Sequence, residues 1–433
     1  MPEDMPVGVV GAGPSGIAAA AALRGAGYRV EVLERHSAVG GIWDIANPGT
    51  PMYETAHYIS SRTVSGFPGF PMPADYPDYP RHDRILSYIR SYADYTGVTP
   101  LVRTGHEVVK GELRANGRWH VSVRTAAGEA ERRYRALVLA TGHQWEPRMP
   151  SWPGTFDGEL MHAKEYTGPG QLRGKRVLVI GGGNSGVDIV SDAARDARSA
   201  TISLRRGYWF IPKHMFGKPV DVIAESGPRL PKRLEQLVFQ ALLRTVVGDL
   251  RRFGLPRPDH RVLDSHPIVN STLLQLLAHG DVTVAPDVRA FAGDRVEFTD
   301  GRCLPFDTVI AATGYRVSFP FLDPALFRWH GERPDLWLNV VHPGLSGLFV
   351  IGMLEANAAA APLLAGQAAL AAAVLRAQDR QDPRLDSLVR ERPPLSGGLR
   401  YVGSARHALA VDAGVYRRHL GRAVRTLGGD GAG

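Results

Sequence analysis

Two glycine clusters of one spacing carry the clearest chemistry in this sequence: GAGPSG at 11–16 and GGGNSG at 181–186. In such a turn the first glycine, Gly11 or Gly181, makes the tight bend. The second, Gly13 or Gly183, puts no side chain between backbone and pyrophosphate, and the third, Gly16 or Gly186, lets helix and strand pack closely. The helix that follows presents its N-terminus to the anion, with Ser15 in one turn and Asn184 and Ser185 in the other filling the remaining positions. The clusters part company about twenty residues on. Glu34, followed by Arg35, ends the segment after the first, and a carboxylate there accepts from a ribose hydroxyl. Arg205 and Arg206 stand at the matching place after the second. Arginine removes the repulsion that an acid would create and makes a bidentate contact to a 2'-phosphate. One site therefore suits an adenine dinucleotide with a free ribose and the other a phosphorylated one, a pairing met by FAD and NADPH.

The elements that must position these residues are legible around them. Val7–Val10 reads as a buried strand, Ile17–Arg24 as a helix stopped by Gly25 and Gly27, and Tyr28–Leu33 as a second strand. The order recurs with a strand at Val177–Ile180, a helix from Ser185 to about Ala197, and a strand at Ala200–Leu204. An apolar strand also runs twice into Ala-Thr-Gly: Leu137–Ala140 leads to Gly142, and Thr308–Ala312 leads to Thr313 and Gly314. Two βαβ units predict an α/β protein with two Rossmann-like dinucleotide-binding domains, the second inserted into the first. The expected division is 1–168 for the first part of the FAD domain, 169–325 for the NADP domain with a helical insertion near 208–280, and 326–433 for the second part and C-terminal helices. Tyr53–Pro80 reads as irregular, Arg81–Gly97 as a helix, and Thr104–Arg135 as a small antiparallel sheet. Pro228–Arg252 reads as a packed domain helix and Ala356–Leu375 as a buried one. Gly352 marks a close approach of backbone to ligand, with Gln367 in the helix beyond it.

Composition limits the alternatives. A chain of 433 residues with one cysteine holds two or three domains, no disulfide framework and no cysteine-rich metal site, so no metal is expected. Cys303 reads as packing in a turn before a strand. The net charge of +8 comes from scattered arginines without a basic tail, which favours anionic ligands over nucleic acid. No stretch reads as long and apolar enough to span a membrane, and the expectation is a cytoplasmic protein.

In this order the motifs resemble those of the flavin-containing monooxygenases, class B flavoprotein enzymes related to Baeyer-Villiger and N-hydroxylating monooxygenases. GAGPSG matches the FAD motif, GGIW at 40–43 the family's Gly-Gly-x-Trp with Gly41 and Trp43, and GGGNSG the NADPH motif. FDGELMHAKEY at 156–166 matches the fingerprint Phe-x-Gly-x-x-x-His-x-x-x-Tyr/Phe, and ATGY at 312–315 a further family element. GFPMPADYPDYPRHDRILSYIRSYA resembles the segment and helix between them. The resemblance implies FAD, NADPH and O2, with oxygen delivered through a C4a-(hydro)peroxyflavin to a soft nitrogen or sulfur centre of a small molecule, and a homodimer. Baeyer-Villiger oxygenation and NADPH oxidation without oxygen insertion are the alternatives. Tyr166, ending the fingerprint, resembles the heteroatom-oxygenating branch, and Gln367 resembles a family glutamine. His162 falls between the two nucleotide domains, where it implies a hinge or hydrogen-bonding role. Family members carry an asparagine near the flavin; by spacing its place falls at Ile59, whose side chain makes no hydrogen bond. His57, Tyr58, Ser60 and Ser61 are the polar groups beside it. His162, His57, Ser60 and Ser61 are thus the candidate catalytic residues.

Overall fold

The computed structural model describes residues 5–227, 231–403 and 407–428. Two five-stranded parallel sheets dominate it. In the first, the strands run Leu348–Val350, Ala136–Leu139, Val7–Val10, Val30–Leu33, Val102–Arg103 across the sheet. In the second, the order is Val282–Ala285, Ser199–Ser203, Arg176–Ile180, Thr308–Ala311, Glu159–His162. The central strands are continuous apolar runs because helices or meanders cover both faces. Each sheet is built by the same chain path: a βαβ unit, a further parallel strand, a three-stranded antiparallel meander, and a strand ending in Ala-Thr-Gly. The first meander spans Glu107–Leu113, Trp119–Thr125 and Gly128–Tyr134. The second spans Val288–Ala292, Arg295–Phe298 and Cys303–Pro305. Cys303 thus opens a half-buried strand rather than lying in a turn, because Glu297 pairs with it across the meander.

The fifth strand of each sheet comes from outside that path. Leu348–Val350 returns from beyond the second domain to pair with Ala136–Leu139. Glu159–His162 precedes the second domain and pairs with Thr308–Ala311. The expected division at 168 gives this last strand to the first part of the chain, whereas its backbone bonding joins it to the second sheet.

The Pro14–Gly25 helix opens on a proline, whose missing N–H costs nothing in a first turn. It packs closely against Ala360–Asp379, which also packs against Ala413–Gly428, and its Ala18, Ala19 and Ala20 are buried. Ala360–Asp379 has, against expectation, the length and apolarity that a membrane span requires. Its Leu363, Leu370 and Val374 are instead wholly buried in the first domain's core. In the insertion, Lys232–Val246 is a helix and Leu250–Phe253 a short 3-10 turn, Gly248 breaking the expected longer helix at φ +78°. The start expected at Pro228 lies outside the described residues. Leu243 and Gln236 face inward from this helix, while Leu234, Leu237 and Val238 are exposed.

Candidate functional site

Both glycine turns open on one cavity of about 990 Å³. The turns have one construction. A Cβ on Gly11 would stand 2.6 Å from the Ala140 carbonyl oxygen, and one on Gly181 would stand 2.4 Å from that of Ala312. Each Ala-Thr-Gly strand is thus seated against the turn that it serves, and Gly16 and Gly186 pack closer still, a Cβ there falling 1.8 and 2.1 Å from the oxygens of Gly11 and Gly181. Gly16 lies behind the cavity wall, while Gly11, Gly13, Ser15, Gly181, Gly183, Asn184, Ser185 and Gly186 line it. Gly41, at φ +59°, meets the first turn from the far side: a Cβ there would lie 2.8 Å from the Gly13 Cα. Next to it Trp43 lines the cavity, its ring 5.2 Å from that of Tyr58. Burial pushes the Tyr58 hydroxyl up to about 12.

The residues that distinguish the two turns also differ in build. Glu34 is 5% exposed. Its carboxylate accepts from the Ala12 N–H at 2.7 Å and the His36 N–H at 2.9 Å, bracing the turn while keeping lone pairs toward the cavity. Arg35 lies over the Trp145 ring at 5.4 Å. Arg206 lies over Tyr208 at the same 5.4 Å separation, while Arg205 is exposed and reaches no partner among the described residues. Four buried polar atoms of cavity-lining residues lack a hydrogen-bond partner among the described residues: Arg206 Nε, Trp145 Nε1, Thr141 Oγ1 and Ser65 Oγ. Buried polar groups are ordinarily bonded. Their clustering here, with the close glycine cradles, fits a cavity shaped for two bound dinucleotides.

His162 is 2% exposed and both of its ring nitrogens are engaged. Nδ1 accepts from the Lys164 N–H at 3.1 Å, which makes Nε2 the protonated nitrogen, donating to the Gly314 carbonyl at 3.0 Å. Burial holds the imidazole below its ordinary value. The ring is thus a neutral tie between the Glu159–His162 strand and the second Ala-Thr-Gly loop, whose Thr313 and Gly314 line the cavity. A comparable tie joins His143, just after Gly142, to the Gly352 carbonyl at 3.1 Å. Gln367 does not reach the cavity. Its Oε1 accepts from the Gly352 N–H at 2.8 Å and its Nε2 donates to the Tyr416 hydroxyl at 2.7 Å, so it holds the close-approach glycine from behind.

Of the polar groups around Ile59, His57 and Ser60 line the cavity along with Ile59 itself. His57 Nδ1 lies 2.8 Å from the Thr55 carbonyl. Ser61 does not line it: the residue is buried, and its N–H donates to Asp221 Oδ2 at 2.5 Å, which turns it toward the insertion. Ser65, which the spacing argument passes over, puts a fully buried hydroxyl on the wall instead.

The sequence reading also passes over Asp188 and Asp192, one turn apart on the helix that leaves the second glycine turn. Tyr53 donates to Asp188 Oδ2 at 3.0 Å, and Asn270 Nδ2 to Oδ1 at 3.2 Å. Thr55 and Tyr166 both donate to Asp192 Oδ2, at 2.5 and 2.9 Å. Burial raises both carboxyls above the usual range, partly offset by these hydroxyls. Two acids spaced i, i+4 among Val187, Ile189, Val190 and Ala193 were the available signal. Among the described residues no group of three or more His, Cys, Asp or Glu is placed to hold a metal.

Residues 5–392 match the model of the family described as "FMO-like: Flavin-binding monooxygenase-like". The chain is 34% identical over 364 residues to an indole-3-pyruvate monooxygenase of Oryza sativa subsp. japonica, covering 80% of this chain and 86% of that one. It is 28% identical over 432 residues to flavin-containing monooxygenase 5 of Oryctolagus cuniculus, covering 94% and 80%. Among solved structures, cyclohexanone monooxygenase bound to ε-caprolactone superposes with a TM-score of 0.73 at 17% identity over 98% of each chain. The S-allyl-L-cysteine S-oxygenase of Allium sativum does so with 0.69 at 22% identity, covering 97% and 88%. Both structural likenesses bear on the fold alone. Two glycine turns of dinucleotide spacing sharing one cavity, and a family match over most of the length, lead to one conclusion: the chain belongs to the flavin-binding monooxygenase-like family and uses FAD and NADPH.

Proposed function

We propose that this monooxygenase transfers oxygen to a soft nitrogen or sulfur centre of a small molecule, taking electrons from NADPH and oxygen from O2. The observation that carries this reading is the state of His162. With Nδ1 and Nε2 both bonded to backbone, the histidine at the junction of the two domains holds no proton for exchange with a substrate. A lone pair on nitrogen or sulfur needs no base to attack an electrophilic oxygen, so a histidine tied in this way at the junction serves it. Bound FAD supplies the electron relay and the activation of oxygen. The chain's own residues do the remainder. Glu34 and the Gly11–Gly16 turn hold the flavin dinucleotide, and Gly41 and Trp43 close over that turn. Arg205 and Arg206 select the phosphorylated nicotinamide. His162 ties the Gly314 loop in place, and Tyr58, Phe67 and Met72 keep water from the flavin side of the wall. Tyr166 at the end of the fingerprint supports the same branch.

A second reading, oxygen insertion beside the carbonyl of a 2-oxo acid, is favoured by the 34% identity to a protein named for indole-3-pyruvate. The apolar Ile59 on the cavity wall also suits an aromatic side chain. One assay separates the two. The holoenzyme is given NADPH, O2 and, in turn, a tertiary amine, a thioether and an aryl 2-oxo acid, and products are read by mass spectrometry. An N-oxide or sulfoxide, one oxygen heavier than its substrate, supports the first reading. Conversion of R–CO–COOH to R–COOH and CO2, with no oxide formed, replaces it with the second.

A further inference from the structure

We propose that Asp188 and Asp192 are positioning residues, forming a latch that hangs the flavin-side wall of the cavity on the nicotinamide domain. The wall segment from Met52 to Ser60 belongs by chain order to the first domain, and Met52, Tyr53, His57 and Ser60 line the cavity. Its polar side-chain anchors, however, lie on the Asn184–Asp196 helix of the second. Tyr53 is bonded to Asp188, and Thr55 to Asp192. Tyr166 reaches the same Asp192 oxygen from the end of the fingerprint, and the Glu54 N–H donates to the Thr167 carbonyl at 2.9 Å beside it. Asn270 fixes the other oxygen of Asp188 from the insertion. Three parts of the chain thus meet on two acids one helical turn from the glycine turn that takes NADPH. Asp192 is only 5% exposed, and apolar side chains would pack such a contact at lower cost. Directional acceptors instead fix one register between the wall and the nicotinamide turn.

A wall out of register admits water, and reduced flavin then hands its electrons to O2 without oxygenating anything: NADPH + H⁺ + O2 gives NADP⁺ + H2O2. The proposal rests on the use of FAD and NADPH and not on either substrate reading, so it is tested without substrate. NADPH oxidation and peroxide release by the holoenzyme are measured alongside amide hydrogen exchange of residues 53–60. Both donors of Asp192 go to a single oxygen. Asp192→Asn can present its carbonyl oxygen there and keep both bonds, so it should match the parent in both readouts. Asp192→Ala should raise peroxide release about thirtyfold, the effect of losing two buried hydrogen bonds at roughly fivefold each, and speed exchange in the segment. Thr55→Val, which leaves the helix intact, should move both readouts in the same direction. Asp188→Ala, which removes the acceptor of both Tyr53 and Asn270, should move both readouts in the same direction. If Asp192→Ala and Thr55→Val fold, bind FAD and release peroxide at the parent rate, the latch is refuted. It is equally refuted if Asp192→Asn leaks as much as Asp192→Ala.

Discussion

Replacing both Arg205 and Arg206 by alanine should convert this protein from an NADPH enzyme into one nearly indifferent between NADPH and NADH. The two side chains are not equivalent. Arg206 is held over the Tyr208 ring and its Nε is buried without a partner, so little freedom is lost when it meets a phosphate. A charge-assisted bond from such a group contributes about 1.5–3 kcal/mol. Arg205 is exposed, so solvent screening holds its share to about 0.5–1 kcal/mol. Arg206→Ala alone should then lower kcat/KM for NADPH by roughly 10- to 150-fold, and Arg205→Ala by roughly 2- to 5-fold. Arg206→Lys should recover only part of the loss, since an ammonium keeps the charge without the planar fork. The values for NADH should change by less than about twofold, because the site loses only what the 2'-phosphate would have met. The assay is oxidation of each nucleotide under O2 at fixed ionic strength, repeated at higher salt, where KM for NADPH should rise and that for NADH should not. Equal losses for NADPH and NADH would show that the arginines support the turn or the strand end and do not read the phosphate.

Gly41→Ala is expected to empty the flavin site, since the new Cβ would strike the Gly13 Cα while the backbone stays at φ +59°; flavin absorbance per protein should fall severalfold, and a fully yellow variant would refute the close approach. The His162 tie should make the junction acid-sensitive. Burial keeps the folded-state imidazole below its ordinary value, so its contribution is complete above about 6.5 and is lost as pH falls toward the folded-state value. The Tm advantage of the parent over His162→Asn should therefore be widest near pH 8 and narrow toward pH 5, and a gap constant with pH would count against the neutral tie.

The local signals that the sequence shows are those repeated or forced by backbone geometry. Both βαβ units follow from apolar runs entering glycine turns, and their helices, Pro14–Gly25 and Asn184–Asp196, begin within a few residues of their expected starts because the glycine turns mark those ends, whereas Val220–Ser226 and Thr272–His279 were not individually expected. The second meander was passed over although Arg295–Phe298 alternates charged and apolar residues, because its strands of three to five residues are too short for the alternation to stand out around Cys303. Gly248 broke the long insertion helix where apolar periodicity alone predicted continuation. In the site, spacing located the nucleotide residues but not which way side chains face. Ser61 turned away while Ser65 turned in, a difference of loop path that no periodicity records. Gln367 and Glu34 show the complementary limit. Their side chains hold backbone amides of Gly352 and Ala12, an arrangement that depends on contacts between elements far apart in the chain.

The crossed origin of the two edge strands has a consequence for synthesis. While the chain emerges from the ribosome, Ala136–Leu139 presents an unpaired edge, because Leu348–Val350 is made some 200 residues later. Glu159–His162, by contrast, is finished before any other strand of its sheet and must wait for Thr308–Ala311. The first sheet therefore stays incomplete, and its apolar edge open to wrong partners, until the whole second domain has been translated. The second sheet can be cut out whole as one continuous stretch, from Glu159 to Ala311, whereas the first can be taken whole only together with the entire second sheet between its strands.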